Sequence, residues 1–491
     1  MNMKKKSYIL AMVVAASVGL TSCDSYLDIN QDPNAITEVQ SDFLFPTPEM
    51  NLAATMGVAF NVYGGYCAEV YGQGLGGSNY RDYSRFFVNS VNTQASWTQL
   101  YSRVLKNLQV VIDQSENAPG DKFAATVLRA YTLQTLVDAY GECPYTEAVG
   151  DISQPKYDEG QDIYAGIIKE IDDAMAGLSG SETVCKNFLF SSGAAATTGT
   201  TAPWIKFANS LKLRLLMRER KAVDVSSQLA ALVAADNFIT ADVAYDKCWS
   251  NAAGSYSPLF QEYQTISSDM VPGIAFTATV TNLSDPRYTF NYVDGDNGFL
   301  GAMSGSNLST FNVTGDNYMA KINYRYNIPV FLMTVAEVQF FLAEYYAAVA
   351  NNQTKAQAAY EAAIAASFAT CGVNGAAAYT GRNPLGDNAL KTIGEQKWIA
   401  LAHTMQGFEA WCELRRMNYP AFNDVSPNDV IAMIQNHNTT SYPTATIFTP
   451  YDAYLAPKTL CARFPYPEIS TGYNKNAPTT KEATVPVFWD K

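Results

Sequence analysis

Between Phe123 and Tyr140 the side chains Phe123, Val127, Leu128, Tyr131, Leu133, Leu136, Val137 and Tyr140 recur close to i, i+3/i+4, i+7 spacing. That period lines them along one face of an α-helix. A stripe this long needs an apolar partner, and the chain supplies several. Helical patterns run over Pro48–Val70, Asp162–Leu178, Trp204–Arg220, Val330–Val349, Ala356–Phe368 and Leu390–Met417. Within one of them, Ala356, Tyr360 and Ala363 reproduce the A-x3-F/Y-x2-A spacing of the second helix of a tetratricopeptide repeat, where small residues permit close helix approach. The repeat's terminal proline is absent and its period is not sustained. The expected fold is therefore mainly α: degenerate tetratricopeptide-like helical hairpins with long loop-rich insertions and a few short strands.

The interruptions are as informative as the helices. Gly72 to Tyr80 is too rich in glycine for helix or strand, and Ser191 to Thr201 reads as a low-complexity loop. From about 251 to 328, Gly, Asn, Ser and Tyr are frequent and no helical period is sustained, so an insertion is expected over about 221–328. The segment 418–491 is turn-rich, with Tyr442-Pro443, Phe464-Pro465 and Tyr466-Pro467. Long insertions on a rigid scaffold are where binding residues collect.

At the N-terminus, Lys4, Lys5 and Lys6 precede an apolar run from Ile9 to Leu20 that is too short to span a bilayer. Small residues Thr21 and Ser22 then lead into Cys23. This reads as a lipoprotein signal over 1–22, with Cys23 the acylated first mature residue and 23–47 a tether to a single domain over 48–491. Acyl chains contribute roughly 0.8 kcal/mol per buried methylene, enough to anchor the chain without a spanning segment.

Composition narrows the function. Hydrophobic residues make up 48% and charged residues 16%, and loss of 1–22 leaves 30 basic against 46 acidic residues, a net charge of −16. Nucleic acid is not an expected partner, since phosphates demand clustered Lys and Arg. The seven cysteines beyond Cys23 are widely and irregularly spaced, without a C-x-x-C pair; most read as buried small hydrophobes, with room for one bridge in an oxidising compartment. His403 and His437 are the only histidines, and neither H-E-x-x-H nor G-x-S-x-G occurs. No metal, cofactor or catalytic residue is expected.

Seven motifs in order give the chain a resemblance to the SusD/RagB family of outer-membrane nutrient-binding lipoproteins. They are Ser22-Cys23 with Tyr26-Leu27-Asp28 and Asp32-Pro33-Asn34; Asp138-Ala139-Tyr140-Gly141-Glu142-Cys143-Pro144-Tyr145; Trp204-Ile205-Lys206-Phe207-Ala208-Asn209-Ser210-Leu211; Asp285-Pro286-Arg287; Ala336-Glu337 with Ala343-Glu344; Gln396-Lys397-Trp398-Ile399-Ala400; and Glu413-Leu414-Arg415-Arg416. The resemblance implies four tetratricopeptide-like hairpins and a loop-rich ligand face. It also implies a lipid-anchored position on the outer membrane over a SusC-like TonB-dependent transporter, to which an oligosaccharide or other polymer fragment is delivered without bond-breaking. Arg415 and Arg416 read as members of an internal salt-bridge site with Glu337 or Glu344, and the Asp138–Tyr145 motif as a structural turn.

Sugar recognition needs an aromatic face against the C–H side of a pyranose, with planar amide, carboxylate or guanidinium groups for paired hydroxyls. Two stretches offer both. In the first, Tyr80, Arg81, Asp82 and Tyr83 follow the glycine-rich loop, which is expected to present the two rings outward. The second carries Trp249, Asn251, Tyr256, Gln261 and Tyr263. Two rival functions are a surface peptide-binding lipoprotein of the same transport system, and a surface glycan hydrolase using acids such as Glu142 and Glu147.

Overall fold

The computed structural model describes residues 40–74, 79–266, 270–306, 310, 318–436, 444–479 and 481–490. Cys23, the expected signal and most of the expected tether lie outside them, as do His437, the Tyr442-Pro443 turn and part of the glycine-rich stretch. Residues Ser41–Lys491 form one compact unit.

The apolar stripe is the middle of the molecule. The helix Pro119–Tyr140 has proline in its first turn and stops at Gly141, whose φ of +84° favours glycine. A Cβ there would also meet the Arg463 guanidinium at 2.1 Å. Almost every residue from Phe123 onward is buried, because neighbours cover the helix on several sides: Lys106–Gln114, Gly160–Ala176 and Ala202–Glu219 all pack on it. Farther along, Val335–Ala348 packs on Gln353–Thr370, and Ala389–His403 on Gly407–Met417. Ala356, Tyr360 and Ala363 are fully buried in the first of these pairs, as the repeat spacing requires. Thr334, Asn352 and Asn388 cap their helices by accepting hydrogen bonds from Glu337 N, Lys355 N and Lys391 N.

The structure departs from the sequence reading in four places. Leu390–Met417 is two helices, broken where Met405 takes φ +58° and Gly407 N donates to Asn61 Oδ1 at 3.0 Å. The break lets helix Gly407–Met417 cross Asn61–Cys67 at glycine distance: a Cβ on Gly64 would lie 2.4 Å from Phe408 Cα, and one on Gly407 2.2 Å from Asn61 O. Val330–Met333 is a strand paired antiparallel with Val243–Tyr245, and its helix starts only after Thr334. The Ser191–Thr201 loop contains the strand Thr197–Thr200, paired with Thr183–Asn187.

The insertion, finally, holds helices Ser226–Ala235, Pro258–Ile266 and Ile274–Asn282 and the 3-10 turn Pro286–Phe290. Ile274 to Val280 are all buried, so that segment has no polar face to give a helical period. Its Thr279 hydroxyl is absorbed by Ala275 O at 2.7 Å.

Charges sit inside this scaffold. Arg218 pairs with Asp138, Glu409 and Glu413; Arg416 bonds Glu344 at 2.5 Å and Glu413 at 2.6 Å; and Lys397 lies 3.1 Å from Glu413. Arg214 holds Glu337 through Nε at 2.7 Å and an Nη at 2.8 Å. The expected pairing of Arg416 with Glu344 is present, whereas Glu337 belongs to Arg214. Arg415 makes no ion pair in this cluster: it donates to Asp138 O at 2.9 Å and to Ala462 O, and its guanidinium lies over Trp411 and Trp489. Burial alone would raise the Glu413 carboxyl, yet Arg416, Lys397 and Arg218 together hold it well below the usual carboxylate range.

Removing Arg218 takes the cation that Asp138, Glu409 and Glu413 share and leaves their buried charge less compensated. Arg218→Met is expected to lose about 3–5 kcal/mol of unfolding free energy in denaturant titrations. The Asp138–Tyr145 turn has its own acid dependence. Glu142, held by Lys481, Arg463 and Tyr466 against the opposing effect of burial, falls from 4.5 to about 2. Its contribution is complete above pH 4.5 and is lost as pH falls towards 2. Glu142→Gln is therefore expected to flatten the acid limb of a stability–pH profile.

Candidate functional site

Helix Asn61–Cys67 presents Tyr63 and Tyr66, and the short helix Arg81–Ser84 lays the first candidate stretch on them. Tyr83 meets Tyr63 edge-on with centroids 4.5 Å apart, Tyr80 lies 5.8 Å from Tyr66, and Tyr80 and Tyr83 stack at 5.9 Å. Tyr80 and Tyr83 are only 9% and 7% exposed. The expectation that a loop turns both rings outward is thus corrected: one helical turn folds them against the scaffold. Burial first, and then Glu262 for Tyr80 and Tyr63 for Tyr83, push both phenols up, so they stay protonated and act as donors.

The Tyr80 hydroxyl donates to Glu262 Oε1 at 2.9 Å and so joins the two candidate stretches. Glu262 stands on Pro258–Ile266 between Gln261, which is exposed, and Tyr263. Tyr263 stacks on Tyr324 with centroids 3.9 Å apart and planes at 11°, and Tyr256 and Phe260 extend the aromatic row. A half-buried carboxylate thus lies beside a flat aromatic pair. The arrangement combines a face for C–H groups with an acceptor for hydroxyls.

Arg81 and Arg85 both bind Asp452, each at 3.2 Å, and Asp82 lies 3.6 Å from Arg85. These charges tie the first stretch to the C-terminal segment. Trp249 is half-buried and donates from Nε1 to Tyr245 O at 2.8 Å, fixing the base of the turn. Asn251 lies on that exposed turn, which Ser250 N closes onto Ser255 O at 2.9 Å.

Sequence reasoning missed Glu262, Tyr63, Tyr324 and Asp452. Glu262 stood between two residues already singled out. Tyr324 and Asp452 could not be found that way, because only tertiary structure brings them to these partners.

The acids considered for hydrolysis have other employment. Glu142 is held at about 2, whereas a general acid needs a raised value. Glu147 accepts from Lys156 N at 2.8 Å. His403 is fully buried, with Nε2 3.4 Å from Asp285, which in turn is held by Arg287 at 2.6 Å. Among the described residues no group of three or more His, Cys, Asp or Glu is arranged to hold a metal ion, and no helix is long and apolar enough to cross a membrane.

Tyr83→Ala should act on stability, lowering it by about 3 kcal/mol as for other buried aromatic truncations. Tyr263→Ala should leave the melting temperature nearly unchanged. Thermal denaturation of the two variants side by side checks this difference between a packed ring and a presented one.

The family model described as "Starch-binding associating with outer membrane" matches residues 33–443. No curated protein matches the chain. Among solved structures, a chitin-binding protein superposes with a TM-score of 0.72 at 19% identity, covering 92% of this chain and 100% of its own. A SusD homologue from Bacteroides uniformis gives 0.71 at 20% identity, with 92% and 100% covered. A chitin-binding SusD homologue from Flavobacterium johnsoniae gives 0.69 at 19%, with 92% and 97% covered. These likenesses establish a shared fold, and with the match over 33–443 the chain belongs to the SusD-like family.

Proposed function

We propose that this protein is a lipid-anchored cell-surface receptor that binds a nutrient oligosaccharide and delivers it to a SusC-like TonB-dependent transporter for import. The observation that carries the reading is the juxtaposition of the Tyr263–Tyr324 stack with the Tyr80–Glu262 hydrogen bond. An aromatic face beside a carboxylate matches the two surfaces of a pyranose. The family description supports outer-membrane association, and two structural relatives are named for chitin binding. Gln261 and Tyr256 are exposed or half-exposed beside the stack and extend the proposed contact surface, and Asn251 lies on the exposed turn that precedes them.

Anchoring follows from Cys23 and the preceding apolar run. The receptor itself breaks no bond. Its carboxylate accepts hydroxyls, and the transporter performs the import step.

Calorimetry of the body lacking residues 1 to 23 against panels of glycans and peptides tests the reading. Heat is expected with at least one neutral oligosaccharide, and Tyr263→Ala should weaken it by about 1–3 kcal/mol. Heat with peptides and none with any glycan would favour the peptide-capturing alternative. New reducing ends that vanish on substituting one carboxylate would favour the hydrolase. Cys23→Ala should leave folding intact and abolish palmitate labelling and membrane fractionation; retained labelling would remove Cys23 as the anchor.

A further inference from the structure

A cavity that shares no lining residue with the Tyr80–Glu262 site opens between the helix Gln94–Gln99, the turn after Pro144 and the short helix Glu468–Tyr473. It holds about 300 Å³, the lower end of the range for small-molecule sites. Its floor is rigid. Trp97 lies against Tyr101 at 4.9 Å, Tyr140 at 4.9 Å and Tyr157 at 6.2 Å, and the Tyr101 hydroxyl is fixed to Pro144 O at 2.9 Å. The opposite wall is exposed: Ile469 and Tyr473, one helical turn apart on one face, are 42% and 80% accessible. Two large apolar side chains left open beside a preformed aromatic floor form a surface suited to a ligand face.

The lining also selects the ligand class. Although the protein carries 46 acidic and 33 basic residues, no residue lining this cavity is ionisable to a charge at neutral pH. The polar groups are hydroxyls and an amide, among them Thr98, Ser153 and Asn474. A phosphate, a uronate or a basic peptide would be desolvated there without a counter-charge. A lipid chain would strand the hydroxyls. A neutral sugar ring presents C–H groups to aromatic rings and hydroxyls to Ser and Thr, and fits both. The larger groove of about 540 Å³ beside Pro119–Tyr140 lacks this character, since it is lined by Lys122, Arg129, Glu170 and Asp173.

We infer that the Trp97–Tyr473 cavity is a second carbohydrate subsite, specific for a neutral pyranose, with Tyr473 as the stacking ring. It is independent of the Tyr263–Tyr324 platform and allows one chain to hold a polymer at two points.

The test titrates the mature chain carrying Cys23→Ala with neutral malto-, cello-, xylo-, manno- and N-acetylchito-oligosaccharides and with oligogalacturonate. At least one neutral ligand is expected to occupy two sites per chain. Tyr473→Ala should weaken one of them about tenfold or more, with an unchanged melting temperature because the ring is largely solvent-facing. Tyr263→Ala should weaken the other. If Tyr473→Ala binds with wild-type stoichiometry and affinity while Tyr263→Ala does not, the cavity is no subsite and the receptor reading stands. If oligogalacturonate displaces the neutral sugar at the Tyr473-dependent site, the assigned ligand class is wrong. If the unaltered Tyr263 and Tyr473 chain binds no glycan, both proposals fail.

Discussion

Everything in this scaffold is arranged around charges that water does not reach. Asp138 accepts Trp489 Nε1 at 2.8 Å, Tyr164 Oη at 2.5 Å, Gln134 Nε2 at 2.8 Å and Arg218. One carboxylate thus links helices Pro119–Tyr140, Gly160–Ala176 and Ala202–Glu219 to the C-terminus. Glu413 does the same for Ala202–Glu219, Ala389–His403 and Gly407–Met417 through Arg218, Lys397 and Arg416. Buried ion pairs add little net stability over apolar packing, but a wrong register would leave them unpaired at a cost of several kcal/mol. Such a network favours one helix arrangement strongly over its near neighbours.

That fixed frame is what allows irregular segments to be positioned. Arg463 reaches Tyr140 O and Glu142, and Phe464 N donates to Ala139 O at 2.7 Å, so the turn-rich C-terminal segment is seated on the end of the central helix. The same segment supplies Asp452 to Arg81 and Arg85. Tyr80 is placed by Tyr66 beneath it and Glu262 beside it. The aromatic row from Tyr256 to Tyr324 therefore rests, within a few contacts, on the buried core.

Much of the architecture was legible in the sequence because amphipathic period survives wherever a helix keeps a polar face. Ala356–Phe368 is of this kind, whereas Phe123–Tyr140 was legible from its large side chains alone, since neighbours cover nearly all of it. Ile274–Asn282 was not legible: it is buried from Ile274 to Val280, and its β-branched residues resemble a strand. The break at Met405 was hidden for a different reason. It depends on Asn61, far away in the chain, accepting from Gly407 N. For the candidate site, residue type pointed to the correct neighbourhoods, yet exposure was misjudged at Tyr80 and Tyr83. Aromatic content cannot distinguish a presented ring from one packed on Tyr63 and Tyr66, and Glu262 acquired meaning only through a partner 182 residues away.

Hydrogen–deuterium exchange of the chain lacking residues 1 to 23, with and without a saturating oligosaccharide, tests the receptor account most directly. Exchange should slow in Pro258–Ile266 and around Tyr324 when the sugar is bound, with the amides of Pro119–Tyr140 unchanged. Saturable binding that leaves Pro258–Ile266 and Tyr324 exchanging as in the free protein would contradict the account.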